Sequence, residues 1–161
     1  MNRYRIGTRL CYGLLLLLLP VISFAKEPVS TGYFGNTAIG GHDVTAYHQL
    51  ENGADAIKGV KEYVVQWKGA KWRFVSEADS KAFAANPEQY APAYNGHCAN
   101  ALSLGEGLIK TDGTHWAIFD NQLYLFFAGR GTKRWSNGDY KVYKEEADRA
   151  WKAILAKRAD R

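Results

Sequence analysis

The sequence predicts an α+β fold, a small and mostly antiparallel sheet of two β-hairpins packed with three to four helices in a single domain. Three observations carry that prediction. Two pairs of β-rich segments are each joined by a short polar or glycine turn. Helical spacing and capping signals occupy the stretches between and after those pairs. The 16 glycines and 10 tyrosines favour turns and pleated surfaces over a pure helical bundle. With 161 residues, 47% apolar and 23% charged, the composition is that of one packed globular domain and excludes disorder, collagen and coiled coil.

The chain opens with the pattern of a cleaved export signal at residues 1–25. Arg3, Arg5 and Arg9 form a positive region, residues 14–22 form a short apolar run, and Ser23-Phe24-Ala25 places small residues where a signal peptidase reads. The run is shorter than the roughly 20 residues that span hydrocarbon, and Pro20 interrupts it, so no membrane span is expected in the mature form. Periplasmic or secreted localisation follows. Without residues 1–25 the formal charge of +5 shrinks, because 18 basic residues then face 16 acidic ones. No basic stripe interleaved with aromatics remains, which excludes nucleic acid as a partner.

Residues 26–37 read as a loose lead-in, and residues 38–161 as one domain without linker, internal repeat or low-complexity tract. His42 and His48 flank Asp43 in a segment expected to be extended, which would put both imidazoles on one face. Tyr63-Val64-Val65-Gln66-Trp67 and Lys71-Trp72-Arg73-Phe74-Val75 form the first hairpin across Lys68-Gly69-Ala70. Ser76 begins a capping-box-like Ser-Glu-Ala-Asp and predicts a helix to about Asn86, with Ala78, Ala82, Phe83 and Ala85 inward and Pro87 as its stop. A second short helix is expected from Cys98 to Leu104. Trp116-Ala117-Ile118-Phe119 and Leu123-Tyr124-Leu125-Phe126-Phe127 form the second hairpin. Tyr143, Ala147, Ala150, Trp151, Ile154 and Leu155 share one face of a closing helix.

Cys11 would leave with the signal, so the mature chain holds a lone thiol, Cys98, in a compartment where thiols are usually oxidised in pairs. A cysteine that follows a glycine loop and starts a helix sits where the macrodipole favours thiolate, and the adjacent His97 can serve as a second ligand. No HxH, HExxH or CxxC spacing announces a metal site. Catalysis is the least supported class. A Cys98–histidine pair with Asp43 or Asp112 can be drawn, yet there is no nucleophile elbow, oxyanion-hole signature or phosphate-cradling glycine loop.

The order of Gly41-His42-Asp43-Val44-Thr45-Ala46-Tyr47, the Trp-Lys-Gly hairpin, Arg73-Phe74-Val75-Ser76 and Phe83-Ala84-Ala85-Asn86-Pro87-Glu88-Gln89-Tyr90-Ala91-Pro92 resembles the YHS-domain family. Tyr94-Asn95-Gly96-His97-Cys98-Ala99 and Trp116 to Leu125 resemble segments of its exported branch, so the likeness spans roughly residues 33–155. The resemblance implies a small α+β domain with a role in binding metal, most often copper. The thiolate pair of metal-associated members is absent, because Gly41-His42-Asp43-Val44 and Phe74-Val75-Ser76 stand at those places. The sequence therefore predicts an exported soft-metal module, holding Cu(I) through Cys98 and His97 with His42 as third ligand. The alternatives are a non-catalytic envelope interaction domain with a packed Cys98, recognising an envelope protein partner, and a thiol-redox protein.

Overall fold

The computed structural model describes residues 27–32 and 35–160, so the signal expected at 1–25 lies outside the described residues. Two separate two-stranded antiparallel sheets alternate with helices, an α+β arrangement. β1 (Val64–Trp67) pairs with β2 (Ala70–Arg73), and β3 (His115–Phe119) pairs with β4 (Gln122–Phe126). Each hairpin closes on two residues in the left-handed region: Lys68 and Gly69 at φ 47° and 75°, Asp120 and Asn121 at φ 47° and 62°. Such turns match the right-handed twist of the strands, which is why they are one residue tighter than the sequence suggests.

Among the described residues, five α-helices complete the fold. α1 (Glu77–Ala85) starts at Ser76, whose Oγ accepts the Asp79 amide at 3.1 Å, as the capping signal predicts. Only Phe83 of its expected inner face is buried; Ala78, Ala82 and Ala85 face solvent because one large ring suffices to anchor a helix at the rim. α2 (Pro87–Tyr90) and α3 (Ala99–Ser103) are single turns. α4 (Gly129–Asn137) has no counterpart in the sequence expectation, since Gly129 and Gly131 disfavour helix locally; its Trp135, fully buried, holds it in place. α5 (Tyr140–Ala159) turns the predicted face inward, with Ala147 fully buried and Tyr143, Ala150, Trp151 and Ile154 half-buried. Residues 42–48 are not an extended strand. Tight turns at Ile39–Gly41 and Ala46–Gln49 break them, so His42 and His48 share no strand face.

Two apolar clusters form the core. Hairpin β1–β2 and α1 supply Ala70, Trp72, Phe74 and Phe83 to the first, together with Trp116, Leu123 and Leu125 from hairpin β3–β4. The opposite face of that second hairpin gives Ala117, Tyr124 and Phe126 to a cluster with α3, α4 and α5. The second hairpin is thus the central layer.

Contrary to the sequence reading, the chain contains an internal repeat. Phe83 packs on Trp67, Trp72 and Phe74 with ring centroids 5.7, 5.4 and 5.1 Å away. Trp135 packs on Phe119, Tyr124 and Phe126 at 6.0, 5.2 and 5.5 Å, and each of these four residues lies 52 positions after its counterpart. The order in both halves is left-handed turn, histidine, short helical turn, hairpin, helix.

Residues 27–31, read as part of a loose lead-in, are pinned between the halves. Ser30 is fully buried, gives its amide to Asn95 O at 2.9 Å and accepts Ile39 N at 2.8 Å. Its hydroxyl bonds Thr111 O at 3.2 Å and accepts Thr111 N at 2.9 Å. Those partners sit as far as 81 residues away, beyond the reach of any local pattern.

Candidate functional site

The repeat organises the chemistry-bearing residues. Ile39-Gly40-Gly41 runs through three successive positive φ angles, 42°, 66° and 80°, and Tyr94-Asn95-Gly96 does the same at 56°, 49° and 82°. For a β-branched residue such as Ile39 this backbone is costly, so the surrounding structure must hold it. A histidine does so in each half. His42 directs Nδ1 at Ile39 O (3.2 Å), and His97 directs Nδ1 at Tyr94 O (3.0 Å). A carbonyl only accepts, so both Nδ1 atoms carry the proton. His42 Nδ1 also reaches Asp112 O at 2.8 Å, which ties the first turn to the second half. The turns touch as well: a side chain added at Gly96 would meet Ile39 Cγ2 at 2.5 Å, so only glycine fits there.

The residue after each histidine is the second paired element. Asp43 N donates to Ile57 O at 2.9 Å, and Cys98 N donates to Ile109 O at 2.8 Å. The Asp43 carboxylate accepts Thr45 N (2.8 Å), Thr45 Oγ1 (2.6 Å) and, from beyond β2, Val75 N (2.8 Å). Cys98 Sγ accepts Phe127 N, beyond β4, at 3.2 Å. Val75 and Phe127 are 52 positions apart, as are Ile57 and Ile109. The thiol therefore occupies the place that a buried carboxylate fills in the first half. Both are buried, at 0% and 4% exposure.

Burial lowers the His97 pKa, and the nearby Lys110 and Arg158 push in the same direction against the bond to Tyr94 O. The ring lies 5.9 Å from Trp151 of α5. Burial raises the phenols of Tyr47 and Tyr94, which donate to Gly113 O at 2.7 Å and to Asp148 Oδ1 at 2.9 Å. These hydroxyls are structural donors.

The copper site expected from the sequence draws on Cys98, His97 and His42. Among the described residues no three His, Cys, Asp or Glu side chains are grouped so as to hold a metal ion. The two imidazoles belong to different turns, and the Cys98 sulfur faces Phe127. α3, whose dipole was expected to act on Cys98, is only five residues long.

What the sequence reading missed is a cavity of about 340 Å³ lined in part by Cys98. Ala101, Ile109, Phe127, Ala128 and Gly131 give it an apolar lining, and Glu106 and Arg130 bring two opposite charges to it. Phe127, directly after β4, is 62% exposed although the four residues before it are buried. The one signal available beforehand was the repeated Gly-His pair at 41–42 and 96–97, which aligns Cys98 with Asp43.

No family model matches the chain, and no match is found among curated proteins or solved structures.

Proposed function

We propose that this chain is an exported, non-catalytic binding domain of the YHS type, in which Cys98 is a packed structural residue and recognition occurs at the surface around it. The observation that supports this reading is the equivalence of Cys98 with Asp43, each accepting the amide of the residue that follows a hairpin and precedes a helix. A thiol already serving as an acceptor at 4% exposure is inert by default. In the folded, metal-free protein it reacts with a thiol reagent far more slowly than in urea. Labelling of the folded form at the unfolded rate overturns the reading.

A second reading is favoured by the place of Cys98 in the cavity lining: Cu(I) held by Cys98 with fewer than three protein ligands. Competition against a Cu(I) chelator separates the two. Equal affinity in wild type and Cys98→Ser supports the packed cysteine, whereas stoichiometric binding lost in the variant supports copper.

A further inference from the structure

We infer that the cavity beside α4 is a site for a small dipolar molecule, an α-amino acid with an apolar side chain. This inference goes beyond the binding-domain reading and names a ligand class for it. At about 340 Å³ the cavity stands at the lower end of the roughly 300–1,000 Å³ range of small-molecule sites. Its charges set the chemistry. Neither the Arg130 guanidinium nor the Glu106 carboxylate has an ion pair or a side-chain hydrogen bond among the described residues, and both line this one cavity. A ligand of single charge would satisfy one and repel the other. A molecule carrying a carboxylate and an ammonium satisfies both.

The carboxylate end has further support. α4 begins at Ala128, which offers no side-chain cap, and its first turn holds no acidic residue. Its leading amides, at Gly129 and Arg130, are left for an acceptor from outside the helix, the setting in which helix starts bind anions. In the first half the corresponding start is closed: Ser76 caps α1, and Glu77 and Asp79 stand in its first turn. The same structural position therefore repels an anion in one half and accepts one in the other. Between the charged ends, Ala101, Ile109 and Phe127, together with the buried Cys98, give the cavity an apolar bed. A carboxylate at Arg130 and α4, an ammonium at Glu106 and an apolar body on Phe127 and Ile109 use each of these features.

Isothermal titration of the purified protein with L-leucine, N-acetyl-L-leucine and L-leucinamide tests this assignment. Leucine binds, and each blocked analogue binds about tenfold more weakly, as loss of one charge-assisted contact predicts. Arg130→Ala weakens leucine but not leucinamide, and Glu106→Gln weakens leucine but not N-acetyl-leucine. Both residues are exposed, so the variants fold. No binding of leucine, blocked analogues that bind as tightly as leucine, or affinities unchanged in both variants overturns the inference. None of these results bears on Cu(I) or on thiol labelling, so the function proposed above is judged separately.

Discussion

In the first half of the chain the hairpin lies at the edge, with Val64, Gln66 and Lys71 exposed on its outer face, whereas in the second half β4 is buried from Leu123 to Phe126. The same turn, hairpin and helix serve both. The difference follows from what packs outside: α5 and α3 cover the second unit, while nothing among the described residues covers the first. Burial on both faces frees the second unit from relying on one polar keystone. The first unit concentrates its polar order in Asp43, with three accepted bonds, while the second makes do with a single bond to sulfur and leaves room for a cavity above it. A repeated scaffold thus carries rigidity in one copy and an accessible cavity in the other.

The largest effect that could break this comparison is Asp43→Ala. It leaves the Thr45 and Val75 amides without the acceptor that the fully buried Asp43 supplies, at a cost of about 3–5 kcal/mol. Cys98→Ala, at the equivalent place, costs about 1–2 kcal/mol because one weak bond and one sulfur are lost. Urea unfolding of the two variants compares them directly; equal losses would end the distinction between keystone and replaceable acceptor.

Ser30→Ala tests how the halves are joined. The Thr111 amide loses its partner in a buried position, and stability falls by about 1–3 kcal/mol. Hydrogen exchange should quicken at the Ile39 and Tyr94 turns together. Faster exchange in one half alone would show that Ser30 belongs to that half and is no bridge.

A smaller effect separates His97 from His48 by pH. Burial lowers the pKa of both His97 and His48, so the unfolded chain binds protons that the folded chain resists. Stability is therefore complete above the ordinary histidine value of about 6.5 and declines as pH falls below it. His97→Gln should flatten that decline more than His48→Gln, because His97 is 3% exposed and His48 is only half-buried. Urea midpoints between pH 7.5 and 5.5 measure both slopes, and an unaltered slope in His97→Gln would remove this residue as the acid-sensitive group.

The sequence by itself determined the local elements, because their causes are local. Alternation and turn residues mark both hairpins, Ser76 marks the start of α1, and the apolar face of Tyr143, Ala147 and Trp151 marks α5. It did not reveal the repeat. Residues 57–85 and 109–137 share only Ile57/Ile109, Lys58/Lys110, Phe74/Phe126 and Lys81/Lys133, since packing asks for ring size and burial at a position and leaves the residue type open. Nor did it place α4, whose glycines argue against a helix until Trp135 is seen inserted between Tyr124 and Phe126. His42, His97 and Cys98 were singled out by residue type, which reports what a side chain can do chemically. Which carbonyl or amide each one faces depended on partners 3, 29 and 70 residues away. Only the tertiary structure brings those partners together, and with them the Arg130, Glu106 and Phe127 side chains that make a cavity out of three separate segments.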